Sequence, residues 1–248
     1  MATTAVLIHG AWAGSWVWDR LLPHLQAQGV QTQAVNLPGN GADGIPAADV
    51  TLEHYVRHVV NVIETLPGPI VLVGHSGGGV TATQVAETIP ARVNGVAFVA
   101  GMMLPSHAGF ADITRELQKE EPAAAGIGPH LEWAADRRIS TVPVRAACDI
   151  FFHDVPAKLA IAAATRLVPQ PEKARAAKPY WTAERFGRLP RLYIEALADR
   201  SVVLTAQRRM QALVPGATVA SLPCGHAPQL AMPEELAACL SAFVDETA

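Results

Sequence analysis

The sequence predicts an α/β fold: about six strands in a mainly parallel sheet, helices on both faces, and a helical cap inserted above one edge. Three observations carry this. Short apolar, β-branched runs alternate with segments whose apolar residues have helical spacing, the pattern of a parallel sheet covered on both sides. One of those runs passes through a glycine-rich turn directly into a helix. Half of the 248 residues are hydrophobic and 17% are charged, so the chain can bury one large core without metal or disulfide staples.

Taken in order, strands are expected over 5–9, 32–37, 70–74, 93–100, 191–196 and 218–222, and helices over 18–27, 52–66, 78–88, 205–214 and 233–244. From 105 to 189 the rhythm breaks into helical segments rich in alanine with scattered prolines and no strand. No Ser/Gly-rich, proline-rich or charged linker suggests a boundary, so 1–248 is expected to be one domain with 105–189 as a cap or lid. An insertion between two strands of one sheet belongs above the carboxyl edge, where open α/β sheets bind ligands.

Composition narrows the function classes. Nineteen Lys and Arg against 22 Asp and Glu give a net charge of −3, and no basic run is present, so no nucleic-acid partner is expected. The first residues carry no basic, cleavable leader, and no apolar run reaches the roughly 18 residues of a membrane span, so a cytoplasmic protein without a membrane partner is expected. Cys148, Cys224 and Cys239 are odd in number and widely spaced, which fits thiols in a reducing compartment better than a disulfide framework or a zinc site. His54 and His58 lie four apart on a helix without the glutamate of a metalloprotease motif, so no metal is expected. A homodimer is compatible with the sequence.

The segment Ile70-Val-Leu-Val-Gly-His-Ser-Gly-Gly-Gly-Val is a strand, a GxSxG turn around Ser76, and the start of a helix. Composition alone gives about 0.04 such patterns in a chain of this make-up, before the strand and helix are required. The turn forces the serine into a strained conformation, and Gly74 and Gly78 supply the clearance it needs. A serine hydroxyl is a poor nucleophile, so it needs a base, and the base needs a carboxylate to fix its tautomer. Of nine histidines only His226 follows the last strand, in the loop Pro223-Cys-Gly-His-Ala-Pro, and it is the candidate base. Five aspartates lie between Ser76 and His226, and Asp199 alone directly follows an apolar strand, which makes it the candidate acid. Glu195, inside that strand, is the runner-up.

Acyl transfer also needs donors for the developing oxyanion. The Gly77 backbone N–H, at a helix N-terminus, is one; the Ala11 N–H, in the loop after the first strand, is the other. Gly10, Trp12, Met102, Leu104, Trp133, Phe152 and Trp181 are the candidate pocket lining. Gly39-Asn-Gly-Ala-Asp-Gly matches a dinucleotide fingerprint, but loop rather than helix follows it, so it reads as a flexible loop.

These residues together resemble the α/β-hydrolase superfamily, in the branch of plant methylesterases, hydroxynitrile lyases and bacterial carboxylesterases. The likeness rests on Val6-Leu-Ile-His-Gly-Ala-Trp with Trp16-Val-Trp, Asn36-Leu-Pro-Gly-Asn-Gly, Gly74-His-Ser-Gly-Gly, and Pro190-Arg-Leu-Tyr-Ile-Glu-Ala-Leu-Ala-Asp. The segment through Gln207, Met210 and Gly225-His-Ala-Pro resembles bacterial esterases that hydrolyse pyrethroids. The resemblance implies the triad Ser76, Asp199 and His226, oxyanion donors at Ala11 and Gly77, and no cofactor. Where the lyases carry a lysine after the histidine and a threonine in the first loop, this chain has Ala227 and Gly10, which disfavours cyanohydrin cleavage. Asn40 departs from the histidine common in that loop.

The expected activity is a serine carboxylesterase acting on small to medium apolar esters, falling in acid as His226 takes a proton. The alternatives are a lyase, a cofactor-independent dioxygenase recognised by oxygen consumption, and a binding protein whose Ser76 resists organophosphonates.

Overall fold

The expected alternation of strand and helix is present in a computed structural model that describes residues 2–39 and 45–248. Its elements are β1 (Thr4–Ile8), α1 (Leu22–Ala27), β2 (Gln31–Val35), α2 (Leu52–Glu64), β3 (Ile70–His75), α3 (Gly78–Thr88), β4 (Val93–Val99), α4 (Phe110–Leu117), β5 (Glu132–Trp133), β6 (Ile139–Thr141), α5 (Val144–Ile150), α6 (Ala157–Ala164), β7 (Gln170–Pro171), α7 (Glu172–Arg175), β8 (Arg191–Ala196), α8 (Leu204–Leu213), β9 (Thr218–Leu222), α9 (Pro228–Ala231) and α10 (Pro233–Glu246). The first helix starts at Leu22 rather than 18, because Ser15–Trp18 forms a 3-10 turn and Pro23, whose missing N–H costs nothing in a first turn, opens α1. The loop reading of 39–44 and the departure at Asn40 fall outside the described residues, Gly39 excepted.

The six expected strands form one parallel sheet in the order β2-β1-β3-β4-β8-β9. Side chains alternate across a strand, and the sequence exploits this on both faces. Leu7, Val71, Val73 and Val99 pack with Leu25 of α1 and Leu240 of α10, while Val6, Ile8, Leu72 and Phe98 pack with Val59 and Ile63 of α2 and Val85 of α3. The chain leaves β1 for β2 on one side, then crosses to β3 on the other. Loops leaving the carboxyl ends of β1 and β3 therefore diverge and open a crevice at the switch point.

The cap is not purely helical as expected: β5, β6 and β7 form a small antiparallel sheet within it. Strands of two or three residues carry no periodicity that a sequence could display. Phe151, Phe152, Ala160 and Ala163 make a core that the cap shares with Trp12 and Leu230 below it. Where the cap rejoins the sheet, the buried Glu87 carboxylate of α3 accepts hydrogen bonds from the Thr182 N–H and hydroxyl and from the Phe186 N–H. Among the described residues no helix is long and apolar enough to cross a membrane. His54 does a capping task instead of pairing with His58: its Nδ1 accepts the Thr51 N–H at the start of α2.

Candidate active site

Ser76 follows β3 with φ of 50°, in the left-handed region, where a non-glycine residue stores about 1–3 kcal/mol and persists only if its surroundings insist. Its N–H donates to the Val99 carbonyl at 3.2 Å, and its carbonyl accepts from the Gly79 and Met102 N–H groups at 3.1 and 2.9 Å. The glycines do what the turn requires. A Cβ on Gly74 would lie 2.7 Å from the Gly79 Cα, and one on Gly78 would lie 2.5 Å from the Ile8 carbonyl oxygen. Gly10 has a similar reason: its Cβ would sit 2.9 Å from that of Ser76.

His226 lies in the loop after β9 and Asp199 in the loop after β8, both buried. The His226 Nδ1–H donates to Asp199 Oδ2 at 2.8 Å. The other oxygen, Oδ1, accepts the Ser201 and Val202 N–H groups at 2.7 and 3.0 Å, so the carboxylate cannot swing. Glu195 is excluded from this role by its partners: Arg208, Gln211 and the Ser221 hydroxyl hold its carboxylate elsewhere. Sequence reasoning missed the supports. Buried Gln207 of α8 caps the end of β8 through the Ala196 N–H and carbonyl. From the cap, His153 Nε2 donates to the Ala198 carbonyl at 3.0 Å and Asp154 accepts the Gly225 N–H, so each neighbour of the Asp199–His226 pair is braced from above.

Ala11 and Gly77 face each other: the Cβ position of Gly77 lies 3.7 Å from the Ala11 nitrogen. Neither N–H finds an acceptor among the described residues, which leaves two neighbouring donors open beside Ser76. Two further histidines support this floor. His9 Nδ1–H donates to the Gly10 carbonyl at 2.7 Å while its Nε2 accepts the Leu37 N–H at 3.0 Å, tying the loops after β1 and β2 together. His75 Nε2–H donates to the His226 carbonyl at 2.7 Å. Burial pushes His9 down to about 4; burial first, then the neighbouring His226, pushes His75 down to about 3. Both are neutral members of the scaffold.

The crevice divides at Ser76. A small compartment of about 30 Å³ is bounded by Trp12, Val17, Phe151, Phe152, Ala227 and His226. A larger cavity of about 300 Å³ extends under the cap past Met102, Phe110, Ile127 and Arg175. Of the expected lining, Gly10, Trp12, Met102 and Phe152 border these spaces. Leu104, Trp133 and Trp181 do not, and the expectation is corrected for them. Leu104 is buried among Val80, Ile113 and Met210; the Trp181 indole packs on Phe186 and donates to the Leu104 carbonyl; Trp133 on β5 lies under the Arg137 guanidinium. Apolar size alone does not distinguish a pocket wall from a core wedge. Among the described residues no cluster of His, Cys, Asp or Glu has the make-up of a metal site.

Comparison with known proteins places this geometry. A pyrethroid hydrolase from Sphingobium wenxiniae is 30% identical over 260 residues, covering 99% of this chain and 89% of that protein. The crystal structure of a pyrethroid hydrolase from Sphingobium faniae superposes with a TM-score of 0.87 at 28% identity, covering 99% of this chain and 98% of that one. A putative chloroplastic methylesterase of Arabidopsis thaliana is 26% identical over 245 residues, 93% of this chain; the chain spans 54% of that relative's length. The model of the Alpha/beta hydrolase family matches residues 5–239. The chain belongs to the alpha/beta hydrolase family.

Proposed function

We propose that the protein is a serine carboxylesterase working through an acyl-enzyme on Ser76. Kinship with ester hydrolases supports the reaction class. The observation that carries the mechanism is the buried 2.8 Å hydrogen bond from His226 to a carboxylate already fixed by two backbone donors, in a crevice that Ser76 also lines.

Asp199 holds the Nδ1 proton, so Nε2 is left as the base that takes the Ser76 proton. Attack on the ester carbonyl puts negative charge on its oxygen, which the Ala11 and Gly77 N–H groups receive; each such donor is worth about 3–4 kcal/mol. His226 then protonates the departing alkoxide, so the alcohol leaves from the histidine side, and water repeats the sequence on the acyl-enzyme. The small compartment beside His226 has room for a short alkoxy group, since one water-sized sphere takes roughly 10–15 Å³. The cavity of about 300 Å³ suits the larger acyl part. The substrate class is therefore a short-chain alcohol ester of a bulkier, apolar acid. The free thiols Cys148, Cys224 and Cys239 fit a reducing, cytoplasmic setting.

The test is a matrix of esters in which methyl, ethyl, butyl and aryl alcohols are crossed with small and bulky acids, assayed with wild type and Ser76→Ala. The expected result is highest kcat/KM for methyl esters of bulky acids and a loss on the order of 10⁶ in turnover for Ser76→Ala. Equal turnover by both proteins refutes the serine mechanism; preference for aryl alcohols refutes the assignment of compartments.

A further inference from the structure

We infer that Gln170, on the small sheet of the cap, is a positioning residue for the oxyanion hole. The inference rests on the serine mechanism above and adds a residue to it. Trp12, in the loop after β1, shares with Ser76 a departure from ordinary backbone, with φ of 59°. A bulky side chain adopts that conformation only where something outside the loop holds it. All three polar groups of Trp12 are held by the cap. Its N–H donates to Gln170 Oε1 at 2.9 Å, its carbonyl accepts the Val168 N–H at 2.7 Å, and its indole N–H donates to the Ser140 hydroxyl at 3.0 Å.

The grip on Gln170 is itself unambiguous. Its Nε2 donates to the Pro171 carbonyl at 3.1 Å, which can only accept, and to the Tyr55 hydroxyl of α2 at 3.0 Å. The amide oxygen must therefore be the end that faces the Trp12 N–H. Gln170 and Ser140 are paired across β6 and β7, both buried, so the two bonds to Trp12 come from a single rung of one ladder. The Ser140 hydroxyl is in turn bonded to Glu172, whose carboxylate is gripped by Arg175, and the Arg175 guanidinium lies 5.4 Å from the centre of the Trp12 ring.

The consequence concerns the preceding residue. In the left-handed turn, the Trp12 N–H points into the cap while the Ala11 N–H stays without an acceptor, beside Gly77. If Gln170 released it, the Trp12 N–H would be a buried donor without a partner, and the loop would turn to satisfy it. Ala11 would turn with it. The interaction serves the transition state only, because a carbonyl in the ground state gains little from these donors.

The test uses Gln170→Met, which keeps length and removes the acceptor. Active sites are first counted by stoichiometric labelling with p-nitrophenyl ethyl phosphonate, so that loss of folded protein does not count as loss of rate. Per labelled site, kcat on a methyl ester should fall about 10- to 100-fold, the range for a misplaced donor, with KM changed by less than about 2-fold. Affinity for an aryl trifluoromethyl ketone, which forms a tetrahedral oxyanion on the serine, should fall by the same factor. If Gln170→Met does not fold, Ser140→Ala, which removes the indole acceptor, should show a smaller loss in kcat alone. Unaltered kcat per labelled site in the folded variant, or a change confined to KM, overturns the inference. Failure of the wild type to take the label overturns the serine mechanism and this inference together.

Discussion

Replacing His9 or His75 by glutamine should flatten the acid limb of the protein's stability. Both imidazoles are buried and neutral, His9 held near 4 and His75 near 3, mainly by the cost of charging a group removed from water. In the unfolded chain each titrates near the ordinary 6.5. The folded state therefore binds fewer protons than the unfolded state between about pH 6.5 and 4, and stability, complete above 6.5, is lost as pH falls through that window. At pH 5 the unfolded chain gains about 1.5 units times 1.36 kcal/mol, or ~2 kcal/mol, per histidine, while the folded chain gains almost nothing. The pair should thus cost about 4 kcal/mol between pH 8 and 5, a large part of the ~5–15 kcal/mol that holds a typical domain. Urea unfolding at pH 8, 6.5 and 5 measures it. Each single glutamine variant, keeping a donor and an acceptor but no titration, should lose ~2 kcal/mol less than wild type across that range. Equal losses in wild type and both variants would refute the claim that these rings are held neutral by burial.

Three further outcomes follow from the site. Asp199→Asn should preserve the fold, since the Ser201 and Val202 N–H groups still find an oxygen, yet lower kcat about 10⁴-fold by favouring the wrong imidazole tautomer; an effect below tenfold counts against the assigned acid. Gly10→Ala places a carbon 2.9 Å from the Ser76 Cβ and should reduce the rate of phosphonate labelling of the folded protein at least tenfold, with about 1–3 kcal/mol of stability lost to the crowding; unaltered labelling would show the contact to be relieved elsewhere. Phe152→Ala should open the small compartment, raising relative activity on butyl over methyl esters while costing about 3–5 kcal/mol of stability; an unchanged alcohol profile counts against Phe152 as a wall.

Much of the candidate site's layout was legible because its residues are bound to position along the chain. GxSxG marked Ser76 by a backbone demand that only glycines meet, and strand ends marked Asp199 and His226. What stayed hidden had no local signature. Gln207 and Gln170 are neutral amides in unremarkable surroundings, and their work depends on which orphaned backbone group the fold brings to them. Leu104, Trp181 and Trp133 were placed in the pocket by size, but whether an aromatic faces a cavity or a neighbour is settled by packing across distant segments. The strands of the cap escape a sequence reading because runs of two or three residues, one of them with a proline on the edge, display no alternation at all.

The cap grips the loops after β1, β8 and β9 through Trp12, Ala198 and Gly225, and these bonds oppose its swinging aside. Wholesale opening would break all three attachments and dissolve the machinery it covers, so entry and exit should run by side-chain motion at the rim. Specificity and rate are thereby fused in one piece of architecture. Exchanging 105–189 between relatives to import a new preference would also re-aim the chemistry, unless the residues at these three moorings travelled with the graft.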